Sequence, residues 1–354
     1  MKDLKSLREK IDAIDEQIVR CLNDRARLSL EIGRWKKEAS KGIYVPHREQ
    51  EVLKRLRALN QGPMSNEAFE AIYREIMSSS IALEKPLKIA NLGTEGSYTS
   101  AAARKKFGSQ IQYVSCENIA EVFSRVEHGE CDYGVVPVEN STEGAVTHTV
   151  DMLVESDLKI CSQVLMKIAH NLLSKVPLAE IRKVYSNPQV FGQCRQWLAA
   201  NLPGVDQIWE SSTTKAARIA ARQKHSAALG SVEAARVYGL KVLKSNIQDV
   251  AHNTTRFLII GERDADPTGR DRTSILFSIK DKVGALYAML RPFYKHKINL
   301  TKIESRPSKK RAWDYYFFVD LEGHRCDPGV QKALAELEDM CKYLKILGSY
   351  PMVT

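Results

Sequence analysis

The sequence predicts three domains of different class: an all-α segment, then an α/β segment, then a C-terminal α+β segment. Three observations predict this. Apolar residues recur at helical spacing from Leu4 to Trp35. After "LEKPL" short apolar runs alternate with polar turns and helical stretches, the texture of an α/β layer. Beyond the polar stretch "RDADPTGRD" the elements read strand, helix, strand, strand, helix, strand. A chain of 354 residues is too long for one ordinary core, which agrees with such a division.

Composition narrows the function classes. Hydrophobic content of 44% beside 27% charged residues describes a globular protein. The start "MKDLKSLREKIDAIDE" is charged throughout, and no run approaches the roughly 18 apolar residues of a membrane helix. The expectation is a cytoplasmic protein without a membrane partner. Seven cysteines (Cys21, Cys116, Cys131, Cys161, Cys194, Cys326, Cys341) form no CxxC, so neither a structural metal nor a disulfide framework is expected. The net charge of +10 comes from short scattered groups such as "RWKK" and "RKK" without interleaved aromatics, which small anionic substrates fit at least as well as nucleic acid does.

The first segment predicts helices over about 3–38, 46–60 and 65–84, rich in Arg, Leu, Glu, Lys and Ala. Its stripe runs Leu4, Leu7, Ile11, Ile14, Ile18, Cys21, Leu28, Ile32, Trp35, and the beat calls for an apolar residue where Arg25 stands. A charge in a seam is costly unless paired, so Arg25 reads either as a buried ion pair or as a ligand for an anion. Arg8 and Lys36 border the same seam. Arg25 and Lys36 are about 16 Å apart along one helix, close enough to flank a small anion. Arg8 and Lys36 are about 42 Å apart, so a site using all three takes Arg8 from a second copy of the chain. An antiparallel dimer would also cover the stripe. Ser80 and Glu84, four apart, share a helix face.

In the second segment the expected strands are "LKIANLG", "DYGVVPVEN", "HSAALGS" and "TTRFLIIGE", with helices between them and parallel pairing. The Gly-rich turn "GTEGSYTS" lacks both GxGxxG and a P-loop lysine, so a nucleotide site is not expected. Polar residues Glu139, Asn140, Ser141 and Thr142 crowd the end of a buried strand, where open α/β sheets bind ligands. Helix capping is the structural alternative. "RDADPTGRD" reads as a linker. In the third segment Trp313, Tyr315, Phe317, Val319 and Leu321 alternate as a half-buried strand does, and a helix is expected from Pro328 to about Tyr343.

The strings "LREKIDAIDEQI", "RARLSLEIGRWK", "HREQEVL" and "EIMSSSIALE" resemble the all-helical chorismate mutase family. The resemblance implies that Arg8 from the partner, Arg25 and Arg48 hold a dicarboxylate. It implies that Lys36 and Glu84 face the ether oxygen of chorismate, Glu49 the ring hydroxyl and Ser80 the carboxylate region. Val45 stands where that family often has Asp, and Glu84 where it often has Gln. "VENSTEG", "YSNPQVFGQC", "ESSTTKAA" and "NTTRF" resemble prephenate dehydratases, which implies a two-lobed domain like type II periplasmic binding proteins. There Thr255 is the catalytic hydroxyl, and Glu139, Asn140, Ser141, Thr142, Gln193, Ser212, Thr213 and Arg256 bind prephenate. "KVGALYAML" and "NLTKIESRP" resemble the ACT domain, which implies an L-phenylalanine pocket at Gly284, Ala285, Leu286, Asn299, Glu304, Ser305, Arg306 and Pro307.

Together the resemblances imply domains at 1–85, 86–262 and 272–354. They imply two reactions without cofactor or metal, feedback by L-phenylalanine, and a homo-oligomer, dimer or tetramer. Two alternatives stay open: a helical segment that only dimerises, and a non-enzymatic amino-acid sensor built on a binding-protein cleft.

Overall fold

The computed structural model describes residues 3–38, 46–279, 283–307 and 315–352; Val45 and Trp313, singled out above, lie outside them. The chain divides into two compact units, Met1–Lys88 with Lys106–Gln112, and Ile89–Lys105 with Tyr113–Thr354.

The first unit carries α1 (Leu4–Glu38), α2 (Pro46–Leu59) and α3 (Asn66–Glu84). Ser65 starts α3 by accepting the Ala68 N–H on its hydroxyl, which satisfies an otherwise unpaired donor of the first turn. The α1 stripe has no cover: Leu4, Leu7, Ile11, Ile14, Ile18, Leu28, Ile32 and Trp35 are 41–61% exposed. Among the described residues of the three helices the buried side chains are Ser78 and Ser80.

Further along, β1 (Lys88–Leu92), α4 (Tyr98–Phe107), β2 (Gln112–Cys116), α5 (Ile119–Glu127), β3 (Tyr133–Asn140), β4 (Gly144–Ala145), α6 (Thr147–Glu155) and β5 (Lys159–Lys167) form one lobe. A second lobe holds β6 (Asn171–Ser174), β7 (Lys183–Ser186), α7 (Pro188–Gln193), α8 (Arg195–Asn201), β8 (Asp206–Trp209), α9 (Thr213–Ala220), β9 (Ser226–Gly230), α10 (Val232–Tyr238) and β10 (Lys241–Lys244). β11 (Thr254–Gly261) then returns to the first lobe, giving sheets ordered β2-β1-β3-β11-β5 and β10-β6-β9-β7-β8.

The expected parallel pairing holds for β1 with β3 and for β7 with β8 and β9. β11 runs antiparallel to both β3 and β5, and β6 antiparallel to β9 and β10. The reason is topological. The chain leaves the first lobe at the Lys167 end of β5 and re-enters at that same end, where Thr254 pairs with Lys167 and Thr255 with Asn140, so β11 runs back along both neighbours.

The C-terminal part is β12 (Asp271–Ser278), α11 (Ala285–Lys295), β13 (Leu300–Pro307), β14 (Tyr315–Glu322), α12 (Pro328–Met340) and β15 (Tyr343–Pro351). Its sheet is antiparallel in the order β13-β14-β12-β15. α12 stops three residues before the expected end because Tyr343 already opens β15.

"RDADPTGRD" does not behave as a free linker. Asp264 pairs with Arg325 at 3.0 Å and accepts the Ser349 N–H, Ala265 N–H donates to Ser349 O, and buried Asp271 accepts the Thr268 and Gly269 N–H groups. Beyond it Leu276, Phe318, Leu347 and Tyr350 join the core of the first lobe. At the contact of β15 with β5, a Cβ on Gly348 would lie 2.2 Å from Ile160 O, so only glycine lets the two backbones approach. The first lobe and the C-terminal sheet therefore share a hydrophobic interior rather than hanging on a tether.

Candidate active sites

A cavity of about 750 Å³ lies in the first unit, lined by Arg25, Lys36, Arg48, Glu49, Ser80 and Glu84 together with the apolar Leu28, Ile32, Met77 and Ile81. Helical spacing places them. Ser80 and Glu84 are one turn apart on α3, and Arg25, Leu28, Ser29, Ile32 and Lys36 follow one face of α1.

Two pairs join the helices across this cavity. Arg25 donates to Ser80 Oγ at 2.5 Å, and that hydroxyl donates to Ile76 O. Lys36 Nζ pairs with Glu84 at 3.1 Å, with both side chains largely shielded. Arg48 donates to Glu51 at 2.9 Å from a more open position. Six cations line the space (Arg25, Lys36, Arg48, Arg55, Arg74, Lys106) against three carboxylates (Glu49, Glu51, Glu84), a balance suited to a dianion. Exposed Arg8 is not among the lining residues.

Sequence reasoning missed Lys106. It pairs with Glu49 at 2.8 Å, and Phe107 beside it is buried and lines the same cavity. In the sequence "ARKKF" it reads as one more solvated charge.

A second constellation forms where the chain crosses between the two lobes, at residues 168–170 and 245–253. Asn140 Oδ1 accepts from Thr142 N, Thr142 Oγ1 and Glu143 N, which fixes the amide orientation. Its Nδ2 therefore points the other way and donates to Thr255 Oγ1 at 2.8 Å and to Asn253 Oδ1 at 2.6 Å. Because Thr255 accepts this bond, its own proton is left to be donated elsewhere. Ser141 clamps the same corner, donating to His252 O and accepting from Thr254 N.

Gln193 joins the lobes. Its Nε2 donates to Glu143, so its Oε1 accepts from Asn253 Nδ2 and from His170 Nε2 at 2.7 Å. Burial holds the His170 imidazole below its ordinary value, against the pull of the Gln193 bond. Tyr98 closes the row, 3.0 Å from His170 Nδ1 and donating to Ala169 O. His170 and Asn253, central to this row, were invisible in the sequence except as polar residues near motifs. Ser212 caps α9 through Lys215 N and touches Thr214, and Thr213 opens that helix.

Arg256, expected in the cleft, places its guanidinium elsewhere. Successive residues of a strand face opposite ways, so Thr255 and Arg256 cannot share a face. Arg256 is buried, donating to Asp320 at 2.5 Å and to Tyr350 OH at 2.6 Å, both in the C-terminal sheet. Burial opposes its charge, but Tyr350, Asp320 and Glu139 together raise its pKa. Glu139 also faces this side, 3.1 Å from Lys302 and 3.6 Å from Arg256.

Along β13 the side chains alternate. Lys302, Glu304 and Arg306 are half-buried, with Glu304 3.3 Å from Lys302 and Arg306 donating to Thr147 and Asp151 of α6. Ser305 and Pro307 face outward, as does Asn299 before the strand. Gly284 opens α11 with φ +75°, followed by buried Ala285 and more open Leu286. The residues expected around an effector thus split between an open face and one turned toward β3 and α6. Among the described residues no group of His, Cys, Asp or Glu gathers as metal ligands, and no helix is long and apolar enough to cross a membrane.

Comparison with known proteins gives three family matches: Chorismate mutase type II over residues 7–85, Prephenate dehydratase over 89–265 and ACT domain over 273–339. A bifunctional chorismate mutase/prephenate dehydratase of Aquifex aeolicus is 50% identical, covering 99% of this chain and 98% of its own. One from Stutzerimonas stutzeri is 44% identical over 98% and 97%. Among solved structures, a prephenate dehydratase of Arthrobacter aurescens in complex with L-Phe is 32% identical with a TM-score of 0.70, covering 75% of this chain and 90% of its own.

Proposed function

The chain belongs to the bifunctional chorismate mutase/prephenate dehydratase family, and from that premise we propose how its residues divide the two reactions. It is an enzyme that rearranges chorismate to prephenate and converts prephenate to phenylpyruvate, carbon dioxide and water. We assign the mutase to residues 1–85, the dehydratase to 86–262 and the ACT domain to 272–354.

The observation that carries the mutase assignment is the cationic cavity with Lys36 against Glu84 at one end and Arg25 against Ser80. In the rearrangement the ether C–O bond breaks as a C–C bond forms, with no proton transfer and no cofactor. Arg25, Arg48 and the partner's Arg8 hold the two carboxylates in the reactive conformer, and Ser80 supports them. Lys36 and Glu84 stabilise negative charge growing on the ether oxygen, and Glu49 accepts a hydrogen bond from the ring hydroxyl. A homodimer supplies Arg8 and covers the exposed α1 stripe.

In the dehydratase the carboxylate C–C bond of prephenate breaks to release carbon dioxide, and its electrons aromatise the ring and expel the hydroxyl. Thr255, held by Asn140, donates a hydrogen bond to the departing hydroxyl, which takes up a proton from solvent to leave as water. Ser141, Thr142, Gln193, Ser212 and Thr213 shape the substrate cleft. L-Phenylalanine binds at the open side of β13 and the start of α11, near Gly284, Ala285, Leu286, Asn299, Ser305 and Pro307. Glu304 and Arg306 carry its effect to β3 and α6.

The test gives the purified protein chorismate alone and follows phenylpyruvate. Its appearance requires both sites. Prephenate accumulating alone overturns the Thr255 assignment, and untouched chorismate overturns the cavity assignment.

A further inference from the structure

We propose that Lys106, far outside the helical segment in sequence, is a positioning residue of the mutase site that holds the Glu49 carboxylate. The proposal rests on the mutase reading above.

Lys106 Nζ lies 2.8 Å from Glu49 Oε2, with the two side chains 14% and 16% exposed, and both line the cavity. A shielded pair of this kind is worth more than a surface ion pair, and each partner restricts the other's rotamer. The segment that presents Lys106 is itself fixed. Ser109 donates through N and Oγ to Glu75, and Gln110 N donates to Ser78 Oγ at 3.1 Å. Gly108 adopts φ +78°, and a Cβ there would lie 2.5 Å from Ser78 Cβ, so the turn demands glycine to reach α3 this closely. Phe107 is buried between these anchors and Lys106.

A glutamate carboxylate facing a dianionic substrate is repelled by it unless a cation stands beside it. Lys106 supplies that cation from the end of α4, whereas Arg25 and Lys36 belong to α1. With Lys106 in place, Glu49 is oriented to accept a hydrogen bond from a substrate hydroxyl. Without it, Glu49 turns to the other cations of the cavity.

The experiment measures mutase kcat and KM in the full-length protein for Lys106→Met, Glu49→Gln and the double variant, with prephenate turnover by the same preparations as the folding control. Expected is a rise of about tenfold in KM for Lys106→Met with kcat changed less than about threefold, and a double variant no worse than Glu49→Gln. Lys106→Arg, which keeps the cation, is expected to restore KM to within about threefold of the wild type. Additive losses in the double variant would mean that Lys106 acts on substrate directly, and wild-type KM in Lys106→Met would mean that it does nothing; either overturns the proposal. If Lys106→Met loses dehydratase turnover too, Lys106→Gln with the same double-variant comparison decides. A wild-type protein inert toward chorismate would instead sink the mutase reading itself.

Discussion

Arg256, the neighbour of Thr255 on β11, is locked 2.5 Å from Asp320 of the C-terminal sheet. Asp320 is completely buried and also accepts from Ser274, which bonds Tyr350 OH at 2.6 Å. Tyr350 in turn accepts from Arg256, and burial pushes its phenol up to about 12. The backbone that presents Thr255 is thus bolted to the C-terminal sheet through one buried charge cluster.

Removing one partner of such a cluster leaves a buried charge uncompensated. Asp320→Ala is expected to destabilise the protein by about 3–5 kcal/mol in urea unfolding and to lower dehydratase kcat, because β11 loses its anchor. A loss below about 1 kcal/mol would show that Arg256 finds another partner or water.

The hydrogen-bond direction at Thr255 yields a sharper test. Asn140→Asp keeps size and shape but replaces the Nδ2 donor with an acceptor. Thr255 must then donate to the introduced carboxylate instead of to the leaving hydroxyl, so dehydratase kcat is expected to fall about 10²-fold or more. Mutase turnover by the same preparation reports folding. Unchanged dehydratase kcat would remove Thr255 from the role of donor.

How much of this was legible in the sequence differs by level. The helices α1–α3 fall within a residue of their expected bounds because periodicity and the Ser65 cap are local signals. That Arg25 meets Ser80 and Lys36 meets Glu84 depends on helix packing, and spacing along one helix is blind to it. The direction of β11 has no local signal at all, since a buried strand reads the same either way. The stretch around Asp264 and Asp271 looked like a linker because its polar residues are turn formers. In the fold those same carboxylates satisfy backbone N–H groups. Arg256 is the instructive case. The alternation in "TTRFLIIG" already put it on the face opposite Thr255, but adjacency in the motif obscured the alternation.

His170 ties stability to pH. Burial keeps its imidazole below the ordinary value of 6.5, so between that value and its folded one the unfolded chain binds the extra proton. The contribution of this histidine is present above about 6.5 and is lost as pH falls toward the folded value. Wild-type melting temperature should therefore drop on acidification more steeply than that of His170→Gln, which cannot take up the proton. Parallel curves for the two proteins would show that His170 does not control the acid limb.

Glu84 sets the last expectation, for catalysis rather than stability. Across the cavity it stands against Lys36 at 3.1 Å. The rearrangement places growing negative charge on the ether oxygen, and an ionised Glu84 would repel it, whereas a protonated one donates a hydrogen bond to it. Glu84→Gln supplies a permanent donor of the same length, so mutase kcat is expected to stay within about threefold of the wild type, whereas Glu84→Ala removes the donor and is expected to lower kcat about 10²-fold. Dehydratase turnover by the same preparations reports folding, and an unchanged mutase kcat in Glu84→Ala would refute the role.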